Sequence, residues 1–354
     1  MTSETTAEDV TTHVVTTEPE QTTEAIKNAQ KLDIGETDKW SLSDRHKEIF
    51  FTDQGRYFYS DIGGRQSAND VLCLDRGYGE PENIPGTPDQ YEYFVRYQKG
   101  NAIYLSRADH NREYEYFKLE DNILTPDNEP LIGYYTEDYV YSKEAFSEEE
   151  NVSIYRTDYD GKTHEFVCQL DANSEQIKYF MIYDNKVWYM SNDIFSCCDI
   201  ETGEIKHFDN GATGYVNNGY IYYNFYDKEH FEHKLSRFNT KTGECEYVCD
   251  PDTDEALDKY YYTIGFYDEY LLYGDHGSVY ALSDNGKIKV FDLNEYFNTP
   301  EECFYIANIQ CTDGRIFVRG QSGGFKLILL EIDIDGNVIE IIHNQYDIDE
   351  MAEE

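Results

Sequence analysis

Seven short Tyr- and Phe-rich segments, each behind a tight turn, alternate with seven further turns. Successive units step by about 40–50 residues, which is room for four short strands. Together these observations predict an all-β fold, a β-propeller of seven blades with four antiparallel strands each; six or eight blades are the alternatives.

The aromatic strands are expected at Arg56–Tyr59, Ala102–Leu105, Tyr139–Tyr141, Val187–Met190, Tyr220–Tyr223, Tyr270–Tyr273 and Arg315–Val318. The turns before them are Gln54-Gly55, Lys99-Gly100, Glu137-Asp138, Asp184-Asn185, Asn218-Gly219, Asp268-Glu269 and Asp313-Gly314. Gly, Asn and Asp tolerate the positive φ that hairpin turns require. The second set falls at Asp75–Gly77, Glu120–Asn122, Asp160-Gly161, Glu201–Gly203, Lys241–Gly243, Asp284–Gly286 and Asp335-Gly336. One unit reads Lys178–Tyr183, turn, Val187–Met190, loop, Ile194–Asp199, turn, Glu204–Phe208. A single such sheet cannot bury both faces, whereas a ring of blades covers every face and leaves no open end. A sandwich of this many strands would be too large for one domain, and a solenoid would need polar caps that the sequence lacks. Residues 31–50 and the first blade are the least regular part.

The domain organisation reads as an acidic Thr/Glu-rich linker over residues 1–40, one propeller over 41–346 and an acidic tail over 347–354. Residues 1–24 hold nine Thr and six acids with no Lys or Arg, too little apolar surface to offset the entropy of ordering. They contain neither the basic nor the apolar region of a signal peptide. Thr/Glu-rich stalks of this kind often separate a surface anchor from a folded domain. The expectation is an extracellular or cell-surface protein whose signal or anchor segment lies outside this chain; the alternative is a cytoplasmic one. No apolar run approaches the length of a membrane-spanning helix.

The chain has 71 acidic and 29 basic residues, a net charge of -42. Without the two tails the body still carries -31. Such a surface repels phosphate backbones and anionic headgroups, which argues against nucleic acid and against direct membrane-surface binding. The eight cysteines form no zinc spacing. Cys197 and Cys198 are expected on opposite faces of one strand. Most cysteines read as small buried residues, with a Cys303–Cys311 or Cys245–Cys249 disulfide left open.

The alternation of Gly219-Tyr-Ile-Tyr-Tyr223 with Ser153-Ile-Tyr-Arg-Thr-Asp-Tyr-Asp-Gly-Lys162 resembles the uncharacterised Tyr-rich β-propeller domains of Gram-positive secreted proteins and surface lipoproteins. Leu235-Ser-Arg237 with Asn239, and Val279–Leu282, match more loosely. The resemblance spans most of residues 45–343. It implies an extracytoplasmic location and a binding role, and it supplies no catalytic residues. The lipobox Cys of the lipoproteins is not in this chain.

Catalytic motifs fail on spacing. Gly161-Lys162-Thr163 has Arg156 where a phosphate loop needs Gly, and no Gly-x-Ser-x-Gly elbow occurs. Asp158-x-Asp160-Gly161 and Asp333-x-Asp335-Gly336 suggest calcium, yet an EF-hand needs a further acid before its Gly and a distal Glu. Turn carboxylates that accept main-chain N–H groups are the simpler reading. No cofactor is expected beyond that calcium option. A weak metal candidate is Asp227 with His230 and His233, provided their loop forms a helical turn.

In a propeller, second-to-third strand loops emerge on the face that carries the blade-to-blade links. On that face the sequence places Arg65, Arg107, His110, Tyr226, His230, His233, His276 and Arg319. They are the candidate residues for a glycan or protein ligand. The expected function is thus a monomeric, non-catalytic binding module. The alternative is a glycoside hydrolase or lyase with paired carboxylates at the central face.

Overall fold

The computed structural model describes residues 49–344 apart from 54, 62–69, 76–81, 84–91, 109–113, 129–132, 137, 146–149, 210, 228–231, 250–262, 269, 284–285, 300–303, 313 and 323–326. The expected linker (1–40) and tail (347–354) lie outside the described residues.

Among the described residues the strands form seven four-stranded antiparallel sheets, each continuous in sequence. Blade 1 comprises β1 (Ile49–Thr52), β2 (Gly55–Asp61), β3 (Asp70–Asp75) and β4 (Glu82–Asn83). Blade 2 has β5 (Glu92–Lys99), β6 (Ala102–Ala108), β7 (Tyr114–Glu120) and β8 (Ile123–Pro126). Blade 3 has β9 (Tyr134–Tyr135), β10 (Tyr139–Glu144), β11 (Asn151–Asp158) and β12 (His164–Asn173). Blade 4 has β13 (Ile177–Tyr183), β14 (Lys186–Ser191), β15 (Ile194–Asp199) and β16 (Ile205–Phe208). Blade 5 has β17 (Tyr215–Asn217), β18 (Tyr220–Asp227), β19 (Glu232–Asn239) and β20 (Cys245–Cys249). Blade 6 has β21 (Thr263–Tyr267), β22 (Tyr270–Asp275), β23 (Ser278–Ser283) and β24 (Gly286–Asp292). Blade 7 has β25 (Phe304–Thr312), β26 (Arg315–Ser322), β27 (Leu327–Ile332) and β28 (Val338–Asn344). Every aromatic segment expected from the sequence is the second strand of a blade.

Neighbouring first strands touch where β9 meets β13 and β21 meets β25, and β21 is buried over Thr263–Phe266, which places the first strands innermost. Fourth strands such as β8 and β16 are mostly exposed and form the outer edge. The largest core cluster joins blades 3, 4 and 5. At its centre Trp188 stacks on Phe195 and meets Phe238 edge to face, and its indole N–H donates to the Tyr183 carbonyl at 3.0 Å.

The turns follow their residues. Asp184-Asn185, Asn192-Asp193 and Asn218-Gly219 have positive φ at both positions, as primed hairpin turns need. Asp199 Oδ1 accepts the N–H groups of Glu201 and Thr202 at 3.0 and 2.9 Å. Asn239 does the same for Lys241 and Thr242 at 3.0 and 3.1 Å, so blades 4 and 5 share one turn design. Gly133 and Gly214 occupy matching places before β9 and β17. There a Cβ would strike the Tyr141 or Tyr222 carbonyl.

The resemblance motif has a physical reading. In blade 3, Arg156 lies 4.8 Å from the Tyr139 ring centroid and its guanidinium reaches Glu165 at 2.7 Å. In blade 5, Arg237 lies 4.4 Å from the Tyr220 centroid and reaches Glu246 at 2.6 Å. The repeated Tyr, Arg and Glu are thus one cross-strand stack, which explains why Arg recurs just before the turn.

One link is irregular and two expectations are corrected. The link between blades 6 and 7 carries a short helix, α1 (Leu293–Phe297), capped by Asp292, which accepts the Glu295 N–H at 3.0 Å. Blade 4 joins its second and third strands by the two-residue turn Asn192-Asp193 rather than a loop. Cys245 and Cys249 open and close one extended strand, about 13 Å apart, too far for a disulfide. Cys303 lies outside the described residues.

Among the described residues no strand is shared between blades 1 and 7. Side chains close the ring there instead. Gln310 on β25 accepts the Ile49 N–H at 3.0 Å and donates to the Ile49 carbonyl at 2.7 Å, so it stands in for a strand partner. Ile49 packs with Phe317, Leu327, Leu329 and Ile342. Glu331, only 4% exposed, is gripped by Arg315 and lies 3.6 Å from Arg56, which also reaches Glu340 at 2.9 Å.

Candidate binding face

Antiparallel order puts first-to-second and third-to-fourth turns at one end of every blade. Second-to-third connections and blade-to-blade links lie at the other end. The first end is closed by tight turns, so the second is the face with room for variation.

Of the residues expected on that face, Arg65, His110 and His230 lie outside the described residues. Tyr226, Asp227 and His233 sit in β18 and β19, where Tyr226 pairs with His233 and Asp227 with Glu232. Asp227 closes β18 and His233 lies in β19, while the residues between Asp227 and Glu232 that the metal option needs, His230 among them, lie outside the described residues. Among the described residues no group of three or more His, Cys, Asp or Glu could hold a metal ion. The Asp158 carboxylate instead accepts the N–H of Lys162 at 2.8 Å, and Asp333 that of Asn337 at 2.8 Å.

Arg107 is fixed by its own blade. Its guanidinium reaches Glu115 at 2.6 Å and lies 4.5 Å from the Phe117 centroid. His276 is exposed at positive φ, in the turn with Gly277 that joins β22 to β23. Arg319 is half-buried and pairs across the ladder with Asn308 on the axial strand β25. The structure therefore brings Arg319 toward the axis, keeps His276 at the rim and commits Arg107 elsewhere.

Other residues line the axis. The pairing of β5 with β6, β13 with β14 and β25 with β26 shifts register at Arg96, at Lys178-Tyr179 and at Ala307. A bulge interrupts the alternation that would bury each side chain between blades. Arg96, Tyr179 (67% exposed) and Tyr305 (40% exposed) are the exposed residues that result or adjoin. Arg96 also donates from Nε to Ser106 Oγ at 2.8 Å. No composition or turn signal marks a register shift, so sequence reasoning missed this set.

A hydroxyl–imidazole–carboxylate chain lies between blades 3 and 4 at the same end. Ser196 Oγ is 3.0 Å from His207 Nδ1, and His207 Nε2 is 3.3 Å from Asp171 Oδ2. The Tyr189 hydroxyl donates to Asp171 Oδ1 at 2.5 Å. The order imitates a catalytic triad, but Ser196 is 1% exposed and Tyr189 is fully buried, so the hydroxyl has no route to a substrate. Burial, then Asp171, holds the Tyr189 hydroxyl well above its usual range. The chain docks β12 of blade 3 onto blade 4. A cross-strand Thr157–His164 contact of 3.0 Å repeats the hydroxyl–imidazole half within blade 3.

At the opposite, turn-bearing end, Tyr97 stacks on Tyr104 at 4.2 Å and on Tyr135 at 4.7 Å, with Tyr159 at 5.0 Å. Burial and neighbouring hydroxyls push Tyr97 far up; burial pushes Tyr135 and Tyr159 up to about 12. These rings cover one another and seal blade 2 to blade 3.

No family model and no curated protein matches the chain. Solved structures do match in fold. A prolyl endopeptidase gives a TM-score of 0.52 at 7% identity, over 94% of this chain and 55% of that one. The β-propeller domain of the Trilobed protease from Pyrococcus furiosus gives 0.45 at 13% identity, over 71% of this chain and 85% of that one. A puromycin-hydrolyzing peptidase of Mycobacterium tuberculosis gives 0.49 at 9%, over 90% and 56%. The chain thus spans about half the length of the two peptidase matches. At these identities the likeness is one of fold.

Proposed function

We propose that this chain is a non-catalytic, extracellular binding module that takes a glycan or protein ligand on the loop-bearing face at the mouth of the axis. The observation that carries the reading is Tyr179, set by a bulge on an innermost strand and the most exposed ring among the described residues. An exposed ring offers a flat face to a sugar or to an apolar side chain. Arg96 and Tyr305 extend that surface around the axis. The acidic body disfavours phosphate-rich partners and leaves neutral sugars and basic proteins as the chemistry that fits. The non-catalytic reading draws support from the committed carboxylates. Asp158, Asp199 and Asp333 accept turn N–H groups, while Glu115, Glu165, Glu246 and Glu331 pair with arginines.

The test is a glycan array and a surface-protein pull-down on the full chain, run with and without calcium. Tyr179→Ala and an outer-edge control, Tyr247→Ala, run beside it. Binding weakened at least about tenfold by Tyr179→Ala and unchanged by Tyr247→Ala supports the reading. Binding indifferent to Tyr179→Ala, or hydrolysis of a bound glycan, overturns it.

A further inference from the structure

We propose that Asn218 is a site of spontaneous deamidation, closed by the main-chain nitrogen of Gly219, and that the hydrogen bonds of Gly219 to Tyr183 and Thr240 set its rate. Among the described residues five asparagines stand at positive φ: Asn122, Asn185, Asn192, Asn218 and Asn298. Of these only Asn218 is followed by glycine; the others precede Ile123, Lys186, Asp193 and Thr299. A side chain on the following residue crowds the approach of its own nitrogen to the asparagine Cγ and narrows the φ and ψ that the peptide can sample. Asn218 is also exposed, in the two-residue turn that closes the Asn217–Tyr220 pair of β17 and β18. Water and base reach it there.

The attacking nitrogen is held back by the neighbouring blade. Its N–H donates to the hydroxyl of Tyr183, the last residue of β13 in blade 4, at 2.6 Å. On the other side of the same residue, the Gly219 carbonyl accepts the Thr240 N–H and the Thr240 hydroxyl, each at 2.9 Å. Gly219 is thus pinned at both its peptide groups. Removing its amide proton and turning its nitrogen toward Cγ both require the bond to Tyr183 to break. The reaction therefore proceeds through local opening where blade 4 meets blade 5.

The chemistry needs only water and base. Hydroxide takes the Gly219 amide proton, and the nitrogen electron pair forms a bond to Asn218 Cγ. The Cγ–Nδ2 bond breaks, and the side-chain amide leaves as ammonia with a proton returned from water. One further water opens the succinimide at either carbonyl and gives aspartate or isoaspartate. Aspartate tolerates the positive φ of the turn and adds one negative charge. Isoaspartate routes the chain through the side chain and lengthens the turn by a methylene. The lengthened turn no longer matches the pairing of Asn217 with Tyr220.

The experiment ages the full chain in mildly alkaline buffer and follows conversion of amide to acid by peptide mass mapping. Three arms run together: the unaltered folded chain, folded Tyr183→Phe, and the unaltered chain held in denaturant. Asn218 should convert in Tyr183→Phe about fivefold faster than in the unaltered folded chain. Conversion in denaturant should be faster than in either. The peptide carrying Asn185 should stay unconverted in both folded arms over the same time. If Tyr183→Phe fails to fold, Thr240→Val takes its place, with a rise in the same direction. A folded variant that converts Asn218 no faster than the unaltered chain overturns the role given to these hydrogen bonds. Asn218 left unconverted in every folded arm, while the chain in denaturant converts, overturns the site itself.

Discussion

Tyr97 shows how a single residue can belong to two blades. It pairs with Tyr104 across its own sheet and stacks on Tyr135 of the next. Deprotonating any hydroxyl of this stack would bury a charge, which is why Tyr135 and Tyr159 titrate only near 12. Folded-state values above the unfolded value of about 10 mean that the stability from these hydroxyls is complete below that pH and is lost as pH rises from about 10 towards 12. Alkaline titration of the tyrosine absorbance should show a larger fraction still protonated at about pH 11 in the folded chain than in the unfolded chain, where about a tenth remains. Replacing Tyr97, Tyr135 and Tyr159 together by Phe should shrink that fraction. An unchanged fraction would locate the late hydroxyls elsewhere. Residue roles were partly legible in the sequence. The recurrence of Arg156 and Arg237 before a turn marked a cross-strand stack. That Glu115 stands opposite Arg107 and Phe117 lies under it was not legible, because nothing in the sequence shows which residues the neighbouring strand presents to it.

Elements were more legible where backbone chemistry is local. Asn, Asp and Gly pairs located the hairpins because they alone accept positive φ cheaply. Asn192-Asp193 escaped because blade connections on that face were expected to be loops. The bulges in β5, β13 and β25 escaped for a different reason. A register shift depends on what the partner strand presents, and the candidate ligand surface depends on those shifts. The blade 6–7 link shows how an irregular segment is secured. Asn294 in α1 accepts the Phe304 N–H at 2.9 Å and the Thr299 hydroxyl at 3.2 Å, and donates to the Phe304 carbonyl at 3.4 Å. Asn294→Ala should leave these buried groups unmatched and cost about 2 kcal/mol, measured by denaturant unfolding. A cost under about 0.5 kcal/mol would show that the link holds without its staple.

At the scale of the whole molecule, the described residues form seven sequence-contiguous blades, and the first and last meet through side chains. The repeat was legible because every blade restates the same turn and strand order. The closure was not, because its contacts join residues more than 260 positions apart and involve one Gln, one Arg and two Glu of no distinctive spacing. Removing residues 1–30 should leave the unfolding temperature unchanged, since blades 1 and 7 already have four strands each; a large drop would mean that a strand from this segment takes part in closure. The binding face exists only if blades 1 and 7 meet, so the seam is where the account is most exposed. The decisive measurement is calorimetric unfolding of the full chain beside Gln310→Ala. Loss of both hydrogen bonds to Ile49 should lower the midpoint by about 4–8 °C while the transition stays single. A midpoint unmoved by Gln310→Ala would mean that the ring is closed by something other than this seam.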